Sequence, residues 1–154
     1  MNITKYNYKR SLPLILQSLN SCDYLAIDME FSGILKHETF YNSSTDSAEH
    51  RYWKHRECVS SFLPTQFGLA TFHLDESSQT LSVRPFNFYL FPFDLPRQDF
   101  TFMSSVGALT FLSRHGFDFN KMIYEGVGFT NQERYMKFWE QESLQRKQAE
   151  AIEA

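Results

Sequence analysis

The 154-residue sequence predicts one mixed α/β domain, a strand meander flanked by helices. Three observations point there. Segments of alternating or continuous apolar character, rich in Phe, Tyr, Leu and Ile, read as strands at Tyr24–Phe31, Thr65–Asp75 and Thr80–Phe93. Segments with helical spacing and recognisable caps stand before, between and after them. Aromatic residues make up 17% of the chain, enough large apolar side chains to build a core and to exclude a disordered polypeptide.

The first element is a short helix, "SLPLILQSLN" (Ser11–Asn20), with Ser11 as N-cap and Pro13 tolerated in the first turn. On the strand that follows, Leu25, Ile27, Met29 and Phe31 point to one side, which the pattern assigns to the core. Tyr24, Ala26, Asp28 and Glu30 point to the other, and Gly33 ends the strand. Lys36–Ser47 is polar and loop-like. Ser47–Phe62 reads as a helix capped near Asp46, and Pro64 separates it from the second strand. "ESSQ" (Glu76–Gln79) turns the chain back into the third strand as a hairpin. Within that strand "FNFYLFPF" is read as buried on both faces, not as an exposed stacking surface. Pro92 and Pro96 mark an exit loop. "SSVGALTFLSRHG" is a helix with a serine cap and Gly116 at its stop; Val106, Leu109 and Leu112 form its inward stripe and Phe111 falls off it. The tail opens with Thr130 and Glu133 spaced as a capping box and shows Tyr135, Phe138 and Trp139 on its apolar face. Residues 1–128 therefore form the domain and 129–154 a polar helical tail.

Composition excludes several classes of function. A net charge of −3 argues against a broad basic surface for loose nucleic-acid binding, though not against a local, metal-filled site. Cys22 and Cys58 lack any paired pattern, as expected of reduced thiols. "LPLIL" (Leu12–Leu16) is the strongest apolar run near the start and is far too short for a membrane span.

Asp28 and Glu30 are the chemistry-bearing pair. Residues i and i+2 of a strand share a face about 7 Å apart at Cα, so their carboxylates can converge on hard cations. Two such ions about 3.5–4 Å apart clamp the attacking and leaving oxygens of a phosphodiester. The plainer alternative is a solvated strand face or an ion pair with a nearby Lys or Arg.

"AIDMEFSGI" (Ala26–Ile34) resembles the first motif of the DEDD nucleases, most closely the poly(A)-specific ribonuclease branch that includes trimmers of small-RNA 3′ ends. "QFGLATF" (Gln66–Phe72), "FNFYLFP" (Phe86–Pro92), Ser104–Ser105 before a helix, "GFDFNK" (Gly116–Lys121) and "NQER" (Asn131–Arg134) follow in the same order. The resemblance implies an RNase H-like fold and a magnesium-dependent 3′–5′ exoribonuclease, with manganese as a possible substitute, acting on RNA 3′ ends such as poly(A). It assigns Asp28 and Glu30 as catalytic metal ligands. It places Phe31, Ile34, Leu109 and Phe111 against the terminal nucleotides. Met29, where relatives often have a small residue, is expected to point into the core.

The family's chemistry also needs a third aspartate and a closing histidine–aspartate pair, which come later in its chains than the residues matched here. Asp94, Asp99 and Asp118 sit in no motif resembling the missing ones. His37, His50, His55 and Cys58 are a metal-like cluster, but His50, His55 and Cys58 are not spaced to share one face, and the histidines read as ordinary surface residues. The fold is accordingly expected to be incomplete, lacking the later parallel strands and leaving the strand of Asp28 with an open edge. A homodimer or a partner chain would complete that edge. Three readings stand: the first-motif half of an exoribonuclease, little active alone; an inactive module that binds RNA or a nuclease; or a structural α/β domain in which the acid pair is incidental. An intracellular location, nucleus or cytoplasm, is expected.

Overall fold

The hairpin anticipated from "ESSQ" forms the centre of the sheet in the computed structural model, which describes residues 1–35, 43–95 and 99–153. Strands β3 (Pro64–Asp75) and β4 (Thr80–Pro92) pair antiparallel from Gln66↔Tyr89 out to Asp75↔Thr80. The turn is built on the Asp75 carboxylate, which accepts the Ser77 hydroxyl at 2.6 Å and the Ser77 and Ser78 backbone N–H groups at 2.9 and 3.3 Å. These donors, the Ser77 hydroxyl foremost, hold its pKa down from the ordinary 3.8 to about 2. Because the folded-state pKa is the lower one, the turn's stabilisation is complete above the ordinary value and is lost as pH falls through the depressed one. An Asp75→Asn variant is therefore expected to show a flatter dependence of Tm on pH between about pH 4 and pH 2 than the parent.

β2 (Tyr24–Phe31) pairs antiparallel with β3, from Tyr24↔Phe72 to Glu30↔Gln66, with an irregularity between Glu30 and Phe31. A two-residue strand β1 (Asn2–Ile3) runs parallel to β4, and a short β5 (Val127–Phe129) also pairs with β4. The order β1-β4-β3-β2 leaves β2 on the edge.

Helix α1 (Tyr8–Asn20) starts one turn before the expected Ser11. Its start is set by Asn7, whose side chain accepts the Thr4 N–H and donates to the Asn2 carbonyl, tying the helix to β1. Ser11 lies inside the helix and is buried, and Pro13 is mid-helix instead of in the first turn. Ile15 of α1 joins Ile3, Leu69, Phe86 and Phe88 in the core, and the Ser18 hydroxyl meets that of Thr71 at 2.6 Å. Phe86, Phe88 and Tyr89 are buried and Leu90 and Phe91 half-buried, as "FNFYLFPF" anticipates, but Phe93 at its end is 53% exposed.

That layer does not extend over β2. Ile27, opposite buried Leu69, is 65% exposed, Leu25 is 52% and Met29 is 38%. The expectation that Leu25, Ile27 and Met29 face a core is thus corrected: alternation shows which residues share a face, whereas burial requires an element to cover it.

Helix α2 (Ala48–Val59) is capped by Ser47, whose hydroxyl accepts the His50 N–H at 3.1 Å. Asp46 is not the cap; it holds Lys54 at 2.7 Å and His50 at 3.3 Å, and Lys54 is the main cause of its lowered pKa. Helix α3 (Val106–Arg114) has the anticipated cap at Ser105, and Gly116 takes the left-handed φ of 76° just past its end. Its inward stripe is narrower than the sequence suggests. Leu112 is buried and Leu109 half-buried, but Val106 in the first turn is 81% exposed. Asp118, a residue without a metal motif, caps a further helix α4 (Phe119–Glu125) by accepting the Lys121 N–H at 2.8 Å.

The chain separates into two compact units. The first comprises Met1–Phe91 and Phe102–Val127, the second Pro92–Thr101 and Gly128–Ala154. Within the second, Phe93 N–H donates to the Phe129 carbonyl at 2.8 Å. Helix α5 (Gln132–Glu153) is capped there by the Asn131 side chain, which accepts the Arg134 N–H. Glu133 pairs with Lys137 at 2.7 Å instead of closing a capping box on Thr130.

Candidate active site

Asp28 and Glu30 share one face of β2, opposite Gly68 and Gln66 of β3. Asp28 is exposed, and its Oδ1 accepts only the N–H of its neighbour Met29, at 2.9 Å. Glu30 is half-buried and makes no hydrogen bond or ion pair with any described residue. Neither acid has a Lys, Arg or His partner among the described residues, so the ion-pair alternative finds no support. Two unpaired carboxylates, side by side on one strand and open to solvent, offer oxygen donors suited to a hard cation that keeps much of its water. Among the described residues no group of three His, Cys, Asp or Glu side chains comes together to hold a metal.

Glu30 of the pair adjoins a cavity of about 450 Å³. Glu30, Phe31 and Ile34 line it from the end of β2 and the loop beyond, and Ala108, Phe111 and Leu112 line it from α3. Phe31, Ile34 and Phe111, three of the four residues singled out for RNA, therefore stand around one space. Leu109, half-buried on α3, does not line it. Met29 lies on its rim instead of in the core. His50 and His55 belong to α2 with Cys58, which is buried, and His37 lies outside the described residues.

Ser32 was not singled out from the sequence, yet it ties together elements that bound the cavity. It is 1% exposed, its hydroxyl donates to the Met103 carbonyl at 2.7 Å, and the same oxygen accepts the Leu63 N–H at 2.9 Å. Its backbone N–H donates to the Leu63 carbonyl and its carbonyl accepts the Ser105 N–H, each at about the same length. One residue thus joins the end of β2, the start of β3 and the cap of α3. Gly33 beside it allows Phe62 to approach so closely that any Cβ would overlap the ring.

A family profile described as "CAF1 family ribonuclease" matches residues 3–154. The chain belongs to that family. Among curated proteins it is similar to the poly(A)-specific ribonuclease PARN of Danio rerio, 35% identical over 145 residues, 92% of this chain and 22% of the relative. The same protein of Homo sapiens is 36% identical over 153 residues, 97% of this chain and 24% of the relative. The pre-piRNA 3′-exonuclease trimmer of Bombyx mori is 34% identical over 129 residues, 84% of this chain and 24% of the relative. The chain thus spans less than a quarter of the length of these relatives. Among solved structures, S. pombe Pop2p, described as a Mg2+- and Mn2+-bound form, matches with a TM-score of 0.60 at 20% identity, over 82% of this chain and 47% of that one. The RNase domain of the yeast Pop2 protein matches with a TM-score of 0.54 at 18% identity, over 90% of this chain and 46% of that one. The sheet and its helices are therefore the α/β fold of the CAF1-type DEDD ribonucleases, over about half of its extent.

Proposed function

We propose that this segment carries the first two metal-binding acids and part of the 3′-end pocket of a magnesium-dependent 3′–5′ exoribonuclease, a deadenylase or RNA 3′-end trimmer. One observation carries this reading: Glu30 belongs at once to the unpaired carboxylate pair on β2 and to the cavity bounded by Phe31, Ile34 and Phe111. Bound magnesium, or manganese in its place, would activate water and stabilise the leaving oxygen of a phosphodiester. Asp28 and Glu30 would hold it. Phe111, more than half exposed, would offer its ring to a base, while Phe31 and Ile34 would pack against the terminal nucleotide.

The family membership and the similarity to proteins named for poly(A) and pre-piRNA 3′ ends support the choice of RNA. A second reading, a module that binds a partner chain, is favoured by the open edge of β2 with its exposed Leu25 and Ile27. The two readings separate in one experiment. The exoribonuclease reading expects millimolar magnesium to raise the Tm of the purified chain, because a cation held only by the folded state stabilises it. It expects no such rise in a Glu30→Ala variant. It also expects labelled oligo(A) to bind in magnesium but to be shortened little by the isolated chain, since the pair supplies only two of the ligands the chemistry needs. A Tm indifferent to magnesium would refute it in favour of the module.

A further inference from the structure

Helix α3 ends in a turn that fixes one further ring beside the site. Gly116, at its left-handed φ of 76°, donates its N–H to the Ser113 carbonyl at 3.2 Å, and Phe117 N–H donates to the Leu112 carbonyl at 3.0 Å. Such a pair of bonds closes a helix around a left-handed glycine, and it fixes the backbone of His115, the residue just before. Phe117 then anchors the turn to the sheet, its ring centroid 5.8 Å from that of buried Tyr89.

The His115 side chain is exposed, yet it is held at two points by Phe111, one helical turn earlier. Its Nδ1 lies 2.8 Å from the Phe111 carbonyl. A carbonyl only accepts, so Nδ1 carries a proton and donates it. The imidazole also lies against the Phe111 ring, with centroids 4.1 Å apart and planes inclined by 33°. The two rings are close to stacked, and the hydrogen bond keeps the imidazole from swinging away.

The position of this stack gives it a use. Phe111 borders two cavities, the one of about 450 Å³ and a smaller one of about 310 Å³ that reaches Gln66 and Tyr89 on the sheet. His115 lines only the smaller cavity, whereas Phe31 and Ile34 line only the larger. The imidazole therefore backs the Phe111 ring from the side away from Phe31 and Ile34. Exposed side chains exchange rotamers freely, and a base that stacks on one must first arrest that motion. A ring already held against a neighbour avoids that cost.

We propose that His115 is a positioning residue of the RNA site, holding the Phe111 ring in the orientation in which a base stacks on its other face. The proposal rests on the exoribonuclease reading and deepens it. Every base has a flat π face, so His115 governs how firmly an RNA end is held and not which base is held.

The test is fluorescence anisotropy of the intact chain, in magnesium, with 5′-fluorescein-labelled oligo(A) of six residues. The comparison RNA carries base-free riboses at its last two positions. The quantity read is the ratio of the two affinities, which partial unfolding, acting on both RNAs alike, does not change. The parent is expected to favour the intact RNA by about tenfold, the worth of one stacked base. His115→Ala should reduce that preference about fivefold, the cost of ordering one freed side chain. His115→Asn, which keeps a donor to the carbonyl but no ring, should behave as His115→Ala does, and His115→Phe, which keeps a ring, should restore the preference. A parental ratio in His115→Ala or His115→Asn overturns the positioning role, and so does loss of the preference in His115→Phe. Equal affinity of the parent for the two RNAs overturns it without any variant and leaves the exoribonuclease reading standing. Absence of binding to either RNA overturns both.

Discussion

An Asp28→Ala substitution, made in an enzyme that carries this segment with a full ligand set, is expected to reduce RNA 3′-end hydrolysis by more than about a hundredfold. Changing residues that merely orient a metal ligand costs about 10–100-fold, and losing a ligand itself costs at least as much. The fold should not suffer. Asp28 is exposed, and its side chain's one hydrogen bond among the described residues is to its own neighbour, Met29 N–H. The expected signature is therefore an unchanged Tm without metal, together with loss of the Tm rise that magnesium produces in the parent chain. Hydrolysis at the parental rate in the same magnesium concentration would remove Asp28 from the chemistry.

Ser32→Ala should behave in the opposite way, harming the fold first. The substitution deletes a buried hydroxyl that both donates to Met103 and accepts from Leu63, and it strands the buried Leu63 N–H. Leaving one buried backbone donor unpaired costs about 1–3 kcal/mol, and the lost bond to Met103 adds about 1 more, so about 2–4 kcal/mol in total. Urea unfolding monitored by circular dichroism would register this as a lower midpoint at unchanged slope. The cap of α3 also sits on Ser32 through Ser105, so RNA affinity should fall along with stability. A loss of unfolding free energy smaller than about 0.5 kcal/mol would show that the surrounding backbone does not depend on this hydroxyl.

These two residues also show what could be read from the chain beforehand. Asp28 and Glu30 were legible because a strand repeats every two residues, so spacing alone places both carboxylates on one face. The hairpin and the cap of α3 were legible because turn and capping chemistry is local. Ser32 was not. Its hydroxyl partner Met103 lies 71 residues away, and no local pattern distinguishes a serine that will be enclosed from one that will be solvated. The burial of β2 was misread for a related reason. The sequence of Leu25, Ile27 and Met29 matches a core-facing strand, but whether a face is covered depends on what packs over it. Helix α1 was placed one turn late because Ser11 imitates a cap while the actual start rests on Asn7 and its bonds to β1. Strands β1 and β5 are too short to carry a period, and α4 has only seven residues. Gln66 lay within a matched motif, but only the strand register reveals it as the neighbour of Glu30.

The open margin of β2 carries a hazard that its acids help to restrain. Backbone groups that pair with no described strand, bordered by Leu25, Ile27 and Met29, are a template on which identical molecules can stack into insoluble aggregates. Asp28 and Glu30 interrupt that template with negative charge in mid-strand, acting as gatekeepers against self-association. The pair that would grip a cation thus also helps to keep the uncomplexed polypeptide in solution, so exchanging either acid for a neutral side chain relaxes that protection as well.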